Sequence, residues 1–367
     1  MRLSGRETIL HRLVNNFAAA SFEPDIEELL AIIAHRGQGK RVHHIELFLD
    51  EGIKDQICGR FNIGSAIKPD EPFALLKREI ELQKFLGYDA IRWGLRTNSI
   101  FTLPRISASD AAGERSWVAE GAGLIQSRRD FEGYPWPAVK AIDFSGLEWL
   151  EKNLPANMGC YELTAHIFEV LHFLLGYQSL CYKIYDEPEL IDAICQKVGS
   201  FYVDFTRTLC DFSCVRFIWG ADDMGFRSST LVAPEFLREK ILPWHKTCAQ
   251  IAHEHNRPYL LHCCGNVDTF LDDLIDDVGI DAKHSFEDAI MPVTEAKKKY
   301  GERIALLGGI DVDFLCRADE KAIRKRVRQT LDVCLEGGGY CLGTGNSVAN
   351  YIPLNNYLVM LDEGRHF

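Results

Sequence analysis

The sequence predicts an α/β chain closed into a single (β/α)8 TIM barrel, and three observations carry that expectation. Eight short apolar runs of strand character alternate with amphipathic helical stretches along 367 residues. No glycine-rich dinucleotide fingerprint follows the first run, which argues against a doubly wound sheet. The length exceeds an average domain, yet barrels commonly form one unit of this size.

Residues 1–40 carry helical patterns at Glu7–Asn16 and Asp25–His35, joined around Pro24, and read as an N-terminal helical cap on a barrel spanning 41–367. Val42–Phe48, VHHIELF, is the first predicted strand, with Glu46 near its end. A helix over Glu71–Leu86 leads to the second strand, Tyr88–Trp93. Between Thr97 and Trp136 apolar and polar residues alternate around a glycine-containing connection, the pattern of a β-hairpin inserted at the barrel rim as a lid. Asn157–Tyr161 is the third strand, followed by helices over Leu163–Leu175 and Pro188–Leu209. Val215–Gly220 is the fourth and runs into Ala221, Asp222 and Asp223; a helix over Pro234–His255 precedes the fifth, which ends at His262. Strands at Ile280–His284, Ile304–Gly308 and Tyr340–Gly343 complete the set, separated by helices at Asp268–Asp277, Pro292–Tyr300 and Glu320–Leu335.

The balance of 53 acidic against 41 basic residues, with the basic ones scattered through helical stretches, argues against a nucleic-acid partner. No apolar run is long enough to span a bilayer, and the opening residues MRLSGRETILHRLVNNF lack the pattern of a secretory signal, so a cytoplasmic location is expected. The 12 irregularly spaced cysteines suit a reducing, even anaerobic, cytosol and point to thiol or metal chemistry rather than a disulfide framework.

The stretch RPYLLHCCGNV, Arg257–Val267, is where that chemistry concentrates. An apolar run stops on His262, Cys263 and Cys264 and turns at Gly265 and Asn266, so these side chains leave the carboxyl end of a strand, where parallel α/β proteins build their sites. His262 and Cys264 share one face and offer an imidazole and a thiolate to one point, a donor pair that zinc prefers. Strand alternation turns Cys263 to the opposite side. Cys341, in GGGYCLGTGN, also sits in a short β-like run followed by glycines and is expected as the third ligand. The pair alone also fits an ordinary buried strand end. Strand ends converge in a barrel, so Glu46, Asp89, Trp93, Asp223, Phe226, Asn266, Asp311 and Asn346 are expected to contact substrate, with Asp222 and Glu287 as catalytic carboxylates that act beside the metal. Phe101 and Trp117 join Trp93 and Phe226 as aromatic lining candidates.

The runs ADDMGFRSSTLVAPEFLREKILPWHK, LLHCCGNV, GIDAKHSFED and KKYGERIALLGGIDV resemble the uroporphyrinogen decarboxylase superfamily, from about Asp186 onward. More narrowly, His262-x-Cys264 with a distant Cys341 resembles its zinc-dependent branch, the corrinoid methyltransferases that include the methylcobamide:coenzyme M and O-demethylase enzymes. The resemblance implies a TIM barrel with zinc at its C-terminal mouth. It also implies methyl transfer between a small substrate, a methyl ether such as a methoxyaromatic or a thiol, and the cobalt of a corrinoid (cobalamin). A separate corrinoid-binding protein is expected to carry that cofactor, and a homodimer is a compatible assembly. The alternative is a metal-independent decarboxylase, with Asp89 or Asp222 contacting a pyrrole-like substrate. Against it, MRLSGRETILHRLVNNF does not reproduce the arginine-rich segment that grips porphyrinogen carboxylates in true decarboxylases.

Overall fold

Helices and parallel strands alternate through the structure, a computed structural model that describes residues 22–37, 39–95, 97–103, 105–110, 113–118 and 123–367. The predicted helix Glu7–Asn16 lies outside the described residues. Among these residues the strands are β1 (Ala90–Arg92), β2 (Arg105–Asp110), β3 (Gly113–Val118), β4 (Gly159–Tyr161), β5 (Leu163–Ala165), β6 (Ile218–Ala221), β7 (Tyr259–His262), β8 (Ala282–His284), β9 (Ala305–Leu307) and β10 (Tyr340–Cys341). They fall into two compact units, one of residues 1–93, 149–160 and 282–367, the other of residues 94–148 and 161–281.

In the first unit β8, β9 and β10 run parallel, with Ala282 opposite Ala305 and Tyr340 opposite Leu306. The predicted first strand is an extended segment held by bridges: His44 pairs in parallel with Tyr88 and Leu342, and Leu49 with Val348. Pairing also continues past β10, because Ile310 bridges to Thr344. Ile45, Leu47, Leu306, Leu307 and Leu342 are buried in this unit, as expected for strands covered on both faces. Helix Ile26–Ile33 is capped by the Asp25 side chain, which accepts from Glu28 N, and buries Leu29, Ile32 and Ile33. The predicted helix at Glu71–Leu86 is Ala74–Leu86, and a helix at Glu51–Phe61 precedes it that the sequence reading missed.

Asp89 departs from its expected place. It precedes β1, so it lies at the amino end of that strand, whereas a mouth-facing residue would leave the carboxyl end. Its Oδ2 meets His43 Nδ1 at 2.7 Å, its Oδ1 accepts from Asp25 N at 2.7 Å, and the Arg41 guanidinium also donates to it. His43 then reaches Glu28 through Nε2 at 3.0 Å. Asp89 is therefore an internal fastener of the first unit, not a substrate contact.

In the second unit β5, β6 and β7 form a parallel ladder that sets Leu163 opposite Trp219, Ile218 opposite Tyr259 and Ala221 opposite His262. The predicted hairpin insertion is present as β2 and β3, antiparallel with Arg105 opposite Val118. The helix expected from Leu163 instead begins at Ile167, because Leu163–Ala165 pairs with β6. A short apolar run does not by itself separate a buried strand from a first helical turn. Helix Pro188–Cys210 starts on its proline, where the missing N–H removes no intrahelical bond. Pro243 follows a widened π-type turn at Leu237–Ile241, the local adjustment that lets one helical course run from Pro234 to Glu254. No helix among the described residues is long and apolar enough to cross a membrane.

Asp89→Ala takes away the acceptor for three buried or half-buried donors, Arg41, His43 and Asp25 N–H. Breaking a buried charged network from one side costs about 3–5 kcal/mol. Urea unfolding of the variant is expected to show a loss of that order, whereas a change under about 0.5 kcal/mol, the range of ordinary surface substitutions, would return Asp89 to the list of surface or substrate-facing groups.

Candidate metal centre

At the carboxyl ends of β6 and β7 three side chains of the second unit point at one another. Asp223, His262 and Cys264 each bring a ligand atom into a group whose members all lie within 4.8 Å of one another. The distances are 3.2 Å between Cys264 Sγ and His262 Nε2 and 3.4 Å between His262 Nε2 and Asp223 Oδ1. Cys264 N–H donates to Asp223 Oδ1 at 2.8 Å and ties the carboxylate to the second loop. His262 is buried, Cys264 is half-buried, and the Asp223 side chain is 37% exposed, so the group opens to solvent on the carboxylate side.

The local backbone brings these residues together. Asp222 N–H donates to His262 O at 2.9 Å and prolongs the β6–β7 ladder by one residue. Beyond it the two loops touch backbone to backbone: Asn266 N–H donates to Phe226 O at 2.7 Å. Gly265 has φ +79° and would place a Cβ 2.2 Å from Gly225 C, so a side chain at that position collides with the neighbouring main chain. Cys263 turns the other way, as alternation predicts; it is fully buried, and Met224 N–H donates to its Sγ at 3.3 Å.

Asp222, expected as a catalytic carboxylate, is instead fully buried with both oxygens engaged. Phe168 N–H and Glu169 N–H, at the start of helix Ile167–Leu175, donate to Oδ2 and Oδ1 at 3.0 and 2.7 Å. This is an N-terminal capping contact made from a distant strand end. His245 Nε2 lies 2.7 Å from Oδ2, and His245 Nδ1 lies 2.8 Å from the Tyr259 hydroxyl. Burial holds the Tyr259 phenol well above its ordinary pKa. His245 bridges the Asp222 carboxylate and the Tyr259 hydroxyl. His166 stacks on His245 at 5.5 Å and on Tyr202 at 4.2 Å. Burial, with His245 as a lesser cause, lowers its pKa to about 3, so it stays neutral. Sequence reasoning missed this brace because single histidines on apolar helix faces and an inward tyrosine carry no spacing signature.

The remaining expected residues divide by location. In the second unit Phe226 is 63% exposed beside the metal group's loops, and Asn266 is half-buried with Oδ1 accepting from Asp268 N. Phe101 is core, packed on Phe201 and Tyr202, and the Trp117 side chain lies outside the described residues. Glu162, not anticipated, is buried between β4 and β5, and its Oε2 accepts from Gly94 N and Leu95 N at 2.8 and 3.0 Å, where the chain enters the hairpin insertion. An acidic residue inside the apolar run GCYELT was the available signal.

In the first unit Glu46 is buried against Thr344, Trp93 and Glu287 are half-buried, and the Asn346 side chain accepts from Ser347 N. Asp311 serves the backbone: its oxygens accept from Phe314 N and Asp288 N, which caps helix Val312–Arg317 rather than a substrate. Cys341, expected as the third ligand, lies in this unit. The extended segment runs on to Thr344, so Cys341 stands three residues short of its carboxyl end. Its thiol is wholly buried, and burial pushes its pKa up, Asp89 adding to the rise and Arg41 opposing it. Within the second unit, the donor atom grouped with those of His262 and Cys264 is that of Asp223.

A family profile described as "Uroporphyrinogen decarboxylase (URO-D)" matches residues 150–367. The chain belongs to this uroporphyrinogen decarboxylase family. Among solved structures, a methyltransferase from Methanosarcina mazei shares 17% sequence identity, with TM-score 0.70, over 94% of this chain and 99% of that one. A Listeria monocytogenes protein described as a vitamin-B12 independent methionine synthase matches at 15% identity and TM-score 0.44, over 88% of this chain and 95% of that one. No curated protein matches the sequence. The TIM (β/α)8 barrel expected from the sequence is the fold of this family member.

Asp222→Asn keeps the shape of the buried cap but points an amide N–H₂ at one of its donors. The expected result is a loss of about 1–3 kcal/mol of unfolding free energy, read by urea titration, with metal stoichiometry unchanged. A stable variant that has lost its metal would assign Asp222 to the centre itself.

Proposed function

We propose that this URO-D family chain is a zinc-dependent methyltransferase that moves a methyl group between a small methyl ether or thiol and the cobalt of a corrinoid carried by a partner protein. The observation that carries the reading is the donor group Asp223, His262 and Cys264. Donor atoms around a tetrahedral zinc stand roughly 3.4–3.7 Å apart, given bonds of about 2.0–2.3 Å. The spacings of 3.2 and 3.4 Å among these side chains fit that requirement after small adjustment. Nitrogen, sulfur and oxygen donors together suit zinc, and three protein ligands are the usual number where a position is kept for substrate. Zinc held there would lower the pKa of a substrate thiol or polarise an ether oxygen.

The protein's own part is to orient. The β6–β7 ladder and the Gly225–Gly265 contact hold the three side chains in fixed relation, and the Cys264 N–H keeps the Asp223 carboxylate turned inward. A dianionic set of Asp223 and the Cys264 thiolate neutralises a divalent ion, so an incoming thiol can lose its proton without meeting excess negative charge. Exposed Phe226 and half-buried Asn266 flank the open side and are placed to meet substrate. The Methanosarcina mazei neighbour is a methyltransferase by name, which supports this reading over a decarboxylase. A metal-independent decarboxylase would have no use for the three-donor group. The carboxylates it was expected to employ, Asp89 and Asp222, are both committed to buried contacts.

Elemental analysis of the purified chain is expected to find about one zinc per chain. His262→Ala, Cys264→Ser and Asp223→Ala should each weaken zinc binding by more than the 10–100-fold typical of outer-shell changes, and should abolish methyl transfer in an assay with reduced corrinoid protein and a panel of methoxyaromatics and thiols. Cys263→Ser and Cys341→Ser should keep both properties. Affinity should fall as pH is lowered, because protons compete for the thiolate and the imidazole. Full metal occupancy in Asp223→Ala combined with its loss in Cys341→Ser would reinstate Cys341 as the third ligand, and an active metal-free protein would end the reading.

A further inference from the structure

In the second unit the group of Asp223, His262 and Cys264 stands at one end of a closed ring of contacts. Tyr259 starts β7, and its hydroxyl lies 2.8 Å from Nδ1 of His245 on helix Leu242–Glu254. His245 Nε2 lies 2.7 Å from Asp222 Oδ2, and Asp222 N–H donates to O of His262, the last residue of β7. The ring thus leaves β7 at its first residue and returns at its last, through a carboxylate, an imidazole and a phenol that are all fully buried. Strand β6 makes room for it: a Cβ at Gly220 would sit 2.9 Å from the Tyr259 hydroxyl oxygen, so a side chain there would push the phenol off its course.

A single peptide link joins Asp222 to Asp223, and the conformation at Asp222 decides where the next carboxylate can reach. The main chain of Asp222 is pinned by its bond to His262 O, and its side chain by Phe168 N–H, Glu169 N–H and His245. A rotation at Asp222 that swings Asp223 away must break these contacts in a buried place, where unmade polar contacts are costly. Ligation asks for donors held within about 0.5 Å of the productive geometry. The Asp223 side chain is 37% exposed, so burial alone does not give it that precision. We infer, on the footing that this donor group is the metal centre proposed above, that His245 is a positioning residue for it: by bridging Asp222 and Tyr259 it fixes the step from Asp222 to Asp223 and so the place of the carboxylate donor. His245 acts through Asp222 rather than on the ion.

Cobalt(II) titration of the full chain tests the role without turnover, because the thiolate charge-transfer band reports Cys264 and the visible bands report ligand geometry. The native chain is expected to take up about one cobalt with the intense visible bands of a tetrahedral site. His245→Ala should reach the same stoichiometry at saturation, with affinity lowered about tenfold, the low end of outer-shell changes, and with its visible bands shifted. His245→Gln offers an amide N–H₂ to Asp222 and an amide oxygen to Tyr259, and should restore both readouts. Leu180→Ala hollows a buried position on helix Tyr177–Asp186, which supplies no member of the ring, and should lose stability while keeping native affinity and bands. Native affinity and bands in His245→Ala, or an equal change in Leu180→Ala, would overturn the positioning role and leave the metal centre standing; a native chain that binds no cobalt would end both. Should His245→Ala not fold, Tyr259→Phe removes one hydroxyl from the ring and is expected to shift the bands in the same direction, and native bands in that variant would equally overturn the role.

Discussion

The parallel register that sets Ala221 of β6 opposite His262 of β7 is the constraint on which the group of Asp223, His262 and Cys264 depends. With that pairing, the next residues of both chains leave the ladder together, and Asp223 arrives beside His262 and Cys264 without a long loop to order. A slip of one residue would turn Cys264 inward and Cys263 outward, since strand side chains alternate. The glycines at 225 and 265 then allow the two loops to meet main chain to main chain. Rigid backbone on both sides lowers the conformational cost of gathering the three donor side chains.

Asp222 and Asp223 show how one bond along a strand divides structure from chemistry. Asp222 faces inward, where two helix N–H groups and His245 satisfy it. Asp223 faces the opening, where its oxygen is shared between the Cys264 N–H and the imidazole. The buried brace of Asp222, His245 and Tyr259 also anchors the start of β7, the strand that ends in the donor His262. Support of this kind is what holds a site's first residues in place.

In the first unit two carboxyl groups are buried among different partners. Asp89, before β1, is met by the Arg41 guanidinium, His43 and a backbone N–H. Glu46, farther along its own segment, is met by a threonine hydroxyl and amide, and burial drives it toward the neutral form. Taking a carboxyl group out of water is costly, so each of these two is met by hydrogen-bond donors where it is buried.

The alternation of apolar runs and amphipathic helices was enough to place the barrel class, the hairpin insertion, and the His262–Cys264 pair with Cys263 turned away, since each rests on local periodicity. Helix starts near Pro188 and Pro234 were legible for the same reason. Only the tertiary structure decided that Asp223 stands beside the pair and that Asp222 and Asp311 cap helices. It also separated β5 from the helix at Ile167 and revealed Glu46 against Thr344, residues 298 positions apart in the chain. Sequence carries which face of a strand a residue takes; how far along that strand it stands, and which distant polar group meets it there, depends on register between segments, which no local pattern encodes.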